Sequence, residues 1–274
     1  MSFGYGLHSR IQPIIQYFVK TYNPDIQNYT NSNKNLDFTK SHHFVMGYNR
    51  NFGENLKLKL EGYYQYLYNV PVEKESSNFS MLNEGAAFHL ERIENLVNKG
   101  LGENYGIELT LERYLNNNWY MLFTGSLFES KYRGSDKVWR NTAFAGNFAL
   151  NCLGGYEYQI NQNYSINTNL KVTWAGGKRN LYIDEEASKQ ANEEIYIDDK
   201  AFSIREKDYF KLDFRLALKH NLKKFTQEFA VDITNLTDHK NIFSKSYNNN
   251  ENKIEYVYQQ GLFIMFLYRI NLGF

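Results

Sequence analysis

Apolar and polar residues alternate along much of the chain with a period of two. From Tyr164 the even positions read Tyr164, Ile166, Thr168, Leu170, Val172 and Trp174, against Ser165, Asn167, Asn169, Lys171, Thr173 and Ala175. Successive side chains of an extended strand point to opposite faces, so this pattern predicts a strand with one apolar and one polar face. Phe210, Leu212, Phe214, Leu216 and Leu218 oppose Lys211, Asp213, Arg215, Ala217 and Lys219 in the same way. Phe225, Phe229, Val231 and Ile233 oppose Thr226, Glu228, Ala230 and Asp232. Upstream, Leu56, Leu58, Leu60, Tyr64, Tyr66 and Tyr68 oppose Lys57, Lys59, Glu61 and Gln65, and Tyr105, Ile107, Leu109 and Leu111 oppose Gly106, Glu108, Thr110 and Glu112. The last segment sets Leu262, Ile264, Phe266, Tyr268, Ile270, Leu272 and Phe274 on one face, with Arg269, Asn271 and Gly273 on the other. Helical spacing fits none of these segments, and period-two runs predict about ten strands in all.

Strand length and the layout of the connections set the environment. The runs span about 11 to 16 residues, against about 5 or 6 in globular sheets, and a tilted strand of about 9 to 11 already crosses a bilayer. Short connections at Asn51–Asn55, Leu115–Asn118, Ile160–Asn163 and Asn221–Lys224 alternate with long ones near 22–40, 71–103, 133–140, 176–207 and 237–258. Tight turns at one end and long loops at the other predict an all-β, antiparallel transmembrane β-barrel with periplasmic turns and extracellular loops. Residues 1–274 are expected to form a single barrel region. Lipid would meet faces such as Leu212/Phe214/Leu216, and Lys211/Asp213/Arg215 would line the interior, because backbone groups in lipid must all be paired and an open sheet leaves its edges bare. Trp119 and Tyr120 after a short turn, Trp174 before a long loop and the terminal Phe274 are expected membrane-interface anchors.

Composition narrows the alternatives. The 31 Lys+Arg against 30 Asp+Glu leave no basic field for nucleic acid, and the single cysteine excludes a disulfide scaffold or a multi-Cys zinc cluster. A mean hydropathy of −0.60, with no run of about 18 apolar residues, excludes a helical membrane protein. The 23 Tyr and 20 Phe against 3 Pro argue for an ordered chain. About one residue in eight is Asn. A protein that alternates greasy and polar positions averages to hydrophilic while presenting an apolar surface.

Several stretches carry a family likeness. FGYGLHSRIQPIIQYF at 3–18, NYGIELTLERYLNNNWYMLFTGSLFESKYRGSD at 104–136, RNTAFAGNFALNCLGGYEY at 140–158 and YFKLDFRLALKHNLKKFTQEFAVDITNLTDHKNIF at 209–243, with the final Phe274, resemble the C-terminal part of the barrel of TonB-dependent outer-membrane receptors of the Bacteroidetes type. The resemblance implies a place in the Gram-negative outer membrane within a barrel of about 22 strands around a plug. It also implies uptake of a scarce small nutrient, with outer-membrane lipid and the barrel-assembly machinery as partners and TonB acting only through a plug not present in this chain. Met1–Ile15 lacks the apolar core and cleavage site of a signal peptide. These departures lead to the expectation of a receptor fragment; a self-closed barrel of about ten strands with a structural or adhesive role is the competing expectation.

Candidate chemistry is sparse, and no enzymatic activity, cofactor or metal is expected. Asp238–His239 offers an acid beside an imidazole, as an outer-membrane hydrolase would need, but it follows the DITNL strand where a polar loop belongs. His42–His43 cannot chelate one ion together, because neighbours in a strand face opposite ways. The acidic stretch Asp184–Glu186, Glu193–Glu194 and Asp198–Asp199 has oxygens for Ca²⁺ without the fixed spacing of a calcium loop, and reads first as a solvated extracellular loop with a helical turn at Glu185–Asn192. Phe79–Gly100, with Phe88, Leu90, Ile93, Leu96 and Val97, is either a lid over the mouth or an insertion between two strands. Cys152 reads as a small side chain on the barrel surface, and Gly154–Gly155 and Gly176–Gly177 as strand bends or turns. The ligand-binding residues are not legible.

Overall fold

The computed structural model describes residues 1–86 and 91–272. The strands are β1 (Ser2–Arg10), β2 (Lys20–Asn23), β3 (Asn28–Asn31), β4 (Thr39–Phe52), β5 (Leu56–Glu73), β6 (Leu96–Asn116), β7 (Trp119–Arg133) and β8 (Trp139–Asn141). They continue as β9 (Phe148–Gln159), β10 (Tyr164–Ala175), β11 (Tyr209–Asn221), β12 (Phe225–Thr234), β13 (Ile242–Asn248), β14 (Lys253–Tyr258) and β15 (Phe263–Leu272). Two short helices, α1 (Ile14–Tyr17) and α2 (Glu185–Ala191), lie in the connections.

Ten strands form one antiparallel meander in the order β1-β4-β5-β6-β7-β9-β10-β11-β12-β15, with β8 added to β7. β1 and β15 stand at its two ends, and among the described residues no pairing joins them. Turns of two to four residues (53–55, 117–118, 160–163, 222–224) close one end of the sheet, and the long connections all lie at the other.

Register puts like with like. Leu58, Leu111, Phe123, Cys152, Val172 and Leu212 follow one another across six strands, and the neighbouring row reads Lys59, Thr110, Thr124, Asn151, Thr173 and Lys211. The first row belongs to an apolar face that is largely exposed, Leu127 at 64% and Phe266 at 79%. Buried apolar side chains gather instead at the loop end: Val70, Val72, Leu96, Tyr132, Ala143, Ala145, Ile183 and Ala201. A sheet whose core lies beneath its loops and whose greasy face is open suits hydrocarbon rather than water.

The long connections are more structured than the sequence pattern indicates. β5 and β6 run on past the expected loop start at 71, pairing Val70 with Gly100, Val72 with Val97 and Glu73 with Leu96 through a bulge. Burial of Val70, Val72 and Leu96 under neighbouring loops sustains that extension. The connections near 22–40 and 237–258 each contain a hairpin, β2–β3 and β13–β14. β15 departs from strict alternation: Phe263, Met265 and Leu267 occupy its polar face opposite Thr234, Asp232 and Ala230. Asn serves the backbone here. Of the twelve described non-glycine residues with positive φ, eight are Asn, among them Asn117 and Asn118 in the tightest turn.

Candidate functional site

The polar face of the sheet, roofed at one end by the loops, is the candidate site. Beneath the roof lies a cavity of about 570 Å³, bounded by Val45, Tyr63, Glu61 and Glu108 of the strands and by Leu82 and Phe144 of the loops. A hydrogen-bonded chain crosses its floor. Asn104 Nδ2 donates to Gln65 Oε1 (3.1 Å), Ser130 Oγ donates to Asn104 Oδ1 (2.7 Å), and Thr142 Oγ1 donates to Ser130 Oγ (2.8 Å). This chain ties the segment after β8 to β5, β6 and β7, so the roof is fixed to the wall. Carboxylates dominate this part: Glu61 pairs with Lys59 at 2.5 Å, and Glu129 accepts from Asn147 Nδ2 at 2.9 Å.

Farther along the same face, charges are matched. Arg215 reaches Asp232 at 2.7 Å and Glu228 at 2.6 Å, Arg269 approaches Glu228 at 3.8 Å, and Lys219 approaches Glu157 at 3.9 Å. Network geometry with one bidentate guanidinium is the case in which exposed ion pairs contribute measurably.

The loops are clasped to one another. Arg179 donates to the carbonyls of Ala145 (2.9 Å), Ser203 (2.7 Å) and Phe202 (3.3 Å) and to Asn147 Oδ1 (3.2 Å). Burial, then the neighbouring Arg205 charge, lowers its pKa from the ordinary guanidinium value. Tyr196 donates to Glu194, and burial first, then that carboxylate, raises its pKa above the ordinary phenol value. A side chain at Gly176 would run into the carbonyl of Gly146, which makes glycine necessary where these two loops cross.

The residues singled out from sequence fall as follows. Trp119 lies on the apolar face at the turn end, opposite Tyr156, with the Arg113 guanidinium 4.0 Å from its ring centre. Trp174 lies on the same face at the loop end, with Phe148 edge-on at 5.1 Å. Tyr120, next to Trp119 in an extended strand, lies on the opposite, polar face, packs over Gly155 and donates to Asn169. Phe274, like Phe88 and Leu90 of the expected lid, lies outside the described residues; Asn33 Nδ2 binds the Ile93 carbonyl (2.7 Å) and Leu96 begins β6.

Asp238 Oδ1 accepts from the Leu262 N–H (2.9 Å) and Oδ2 from Lys240 (3.1 Å), while the His239 ring stands edge-on to Phe210 at 5.9 Å. The two side chains serve a strand end and do not form an acid–imidazole pair. His42 stacks on Tyr68 on one face, and His43 meets Tyr63 on the other. The acidic loop divides its carboxylates: Asp184 caps α2 through the Ala187 N–H (3.0 Å), Glu194 takes the Tyr247 N–H (2.7 Å), and Asp198 takes Asn78 (2.9 Å). Cys152 is exposed on the apolar face. Sequence reasoning passed over Asn235 and Asn241, both buried polar side chains that bind backbone around the Asp238 corner. Their placement in a polar run after a strand was the available signal.

No family model and no curated protein sequence matches the chain. Solved structures do. The ferric-catecholate import receptor Fiu of Escherichia coli K12, in a closed form, aligns over 99% of this chain and 32% of its own, at 10% identity and a TM-score of 0.57. FpvAI in complex with pyocin S2 aligns over 98% and 31%, at 12% identity and a TM-score of 0.61. The outer-membrane transporter YddB of Escherichia coli aligns over 88% and 33%, at 13% identity and a TM-score of 0.54. The chain thus spans about a third of the length of the structures it matches. The ten-stranded meander of its loop-roofed sheet has the fold of a barrel portion of TonB-dependent outer-membrane receptors.

Proposed function

We propose that this chain is a barrel portion of an outer-membrane receptor that imports a scarce small nutrient by a TonB-dependent cycle, the plug and the remaining strands being supplied outside this sequence. One observation carries the reading. A meander whose two end strands each have, among the described residues, one edge without a partner superposes, over nearly the whole chain, on about a third of wider receptor structures. In hydrocarbon each unpaired backbone group costs several kcal/mol, so edges such as those of β1 and β15 call for neighbours. Under this reading the apolar face meets lipid, the polar face lines the lumen, and the roofed cavity is a stretch of wall that a guest passes. A ferric-catecholate chelate is the first cargo class to test, because one structural neighbour is described as importing it.

The test is the mass of the native protein. An antibody against 209–243 is applied to outer membranes of the source cells. A band several-fold heavier than 32.4 kDa is expected. A heat-modifiable band near 32 kDa would instead favour the self-closed barrel and remove the TonB-driven cycle.

A further inference from the structure

The sequence sets His42 beside His43, but register gives His43 a different imidazole for company. His43 lies opposite Gly6 of β1, and His8, two residues along β1, shares that face. The His8 and His43 ring centres are 5.9 Å apart, at 59° between planes. We propose that His8 and His43 form a two-imidazole site for a borderline divalent transition ion, copper, nickel or zinc, beside the roofed cavity that His43 lines. The inference goes beyond the receptor reading and stands without it.

Three observations support it. The first is span. A metal–nitrogen bond of about 2.0–2.1 Å puts each ring centre roughly 3.2 Å from the ion, so two imidazoles on one ion have centres roughly 5.2 Å apart at a tetrahedral angle and 6.4 Å apart in line. The observed 5.9 Å falls between. The second is Gly6. A Cβ there would sit 2.6 Å from His8 Nε2, so the missing side chain is the space through which the His8 ring leans toward His43. The third is room and support. His43 is steadied edge-on by Tyr63 at 6.4 Å and borders the cavity of about 570 Å³, where water or a guest's donors complete the coordination. Imidazole suits copper, nickel and zinc, and two such donors leave positions open, a binding site rather than a closed structural centre. His42 is excluded: it faces the other way, with its Nδ1 3.0 Å from the Tyr5 hydroxyl.

Copper is the probe, added to the full-length native protein extracted in detergent. Equimolar Cu²⁺ is expected to give an electron paramagnetic resonance spectrum with coupling to two imidazole nitrogens. His8→Gln and His43→Gln are each expected to weaken binding at least tenfold and to remove one nitrogen coupling, while His42→Gln changes neither. Gly6→Ala retains both imidazoles yet is expected to weaken binding severalfold by displacing His8. Each variant is first checked for the heat-modifiable gel shift of the wild type. A wild-type spectrum without two nitrogen couplings, equal loss in His42→Gln, or full binding in His8→Gln or Gly6→Ala would overturn the site.

Discussion

Asn241 pairs with Phe210 as a strand neighbour would: Asn241 Nδ2 donates to the Phe210 carbonyl at 2.8 Å, and the Phe210 N–H donates to Asn241 Oδ1 at 2.9 Å. β12 has left β11 beyond Ile233, so a side-chain amide covers backbone groups that the ladder no longer reaches. Asn241 is 3% exposed, and water does not readily replace it. Asn241→Ala is expected to cost about 1–3 kcal/mol, the penalty of stranding a buried backbone donor. Asn241→Asp is expected to cost more, because a carboxylate has no proton for the Phe210 carbonyl. Urea midpoints of the folded barrel in detergent check both, and a neutral Asn241→Ala would show that the loop, not the amide, holds this corner.

Leu216 and Thr124 test the two faces. Leu216 lies near the middle of β11 on the apolar face, paired with Thr168 and Val231, and is 44% exposed. Thr124 sits in the polar row between Thr110 and Asn151. A lysine facing lipid near mid-bilayer costs about 2–4 kcal/mol, whereas one in an aqueous lumen costs little. Leu216→Lys is therefore expected to lower the unfolding free energy in liposomes by that amount, and Thr124→Lys by much less. Equal losses would mean that the apolar face does not meet lipid.

Tyr120 and Gly155 are complementary across β7 and β9. A Cβ at Gly155 would land inside the Tyr120 ring and against Asn169 Oδ1, both on the polar face. Overpacking of this kind costs about 1–3 kcal/mol. Gly155→Ala is expected to cost that in the wild type and clearly less beside Tyr120→Ala, which removes the ring and releases Asn169 from its hydrogen bond to Tyr120, leaving only the contact with the freed Asn169 amide. A double-mutant cycle on unfolding free energies measures the difference.

The strands were legible because a two-sided sheet writes its period into the residues: Leu212 to Leu218 and Lys211 to Lys219 alternate in sequence as their rows do in the sheet. The same rule sets Trp119 and Tyr120, neighbours in one strand, on opposite faces. The loop layer was not legible. Its clasps join distant residues, as in Asn33 to the Ile93 carbonyl or Asn78 to Asp198, and no local pattern encodes such pairs. The His8–His43 approach was hidden for the same reason, since it depends on the register of β1 against β4. The abundance of Asn was visible but not its use, which is to hold left-handed turns such as Asn117–Asn118 and Asn192.

Asp238 gives the loop corner a defined acid response. The Leu262 N–H first, and Lys240 second, hold its pKa below the ordinary carboxylate value. A carboxyl group whose folded pKa is depressed contributes its full stabilisation above its unfolded pKa of about 3.9, and loses it as pH falls through the folded value. The exchange protection factor of the Leu262 amide is therefore expected to stay constant from neutral pH to about 4 and to fall below that. Asp238→Asn retains an acceptor oxygen and tolerates the residue's φ of 49°, so its protection should not change with acid. A wild-type profile as flat as the variant's would show that the Asp238 carboxylate does not hold the Leu262 amide.

Trp119 and Trp174 mark the two ends of the apolar face. Trp119 opens β7 beside the 117–118 turn, Trp174 lies next to the end of β10 below the long 176–208 connection, and both rings are partly exposed, at 39% and 45%. An indole has an apolar body and one N–H donor, and it rests most favourably where hydrocarbon meets headgroups. If the apolar face spans the bilayer, the two rings sit at opposite interfaces. Variants keeping one of these tryptophans, with the other two replaced by Phe, are reconstituted with lipids brominated at graded depths. Each ring is expected to be quenched most by bromines near the headgroups and least by those near the bilayer centre. A Tyr120→Trp probe with all three native tryptophans replaced should escape lipid quenching and respond to an aqueous quencher, because position 120 faces the polar side. Strong lipid quenching at 120, or maximal quenching of Trp119 at the bilayer centre, would reverse the assignment of faces or of depth.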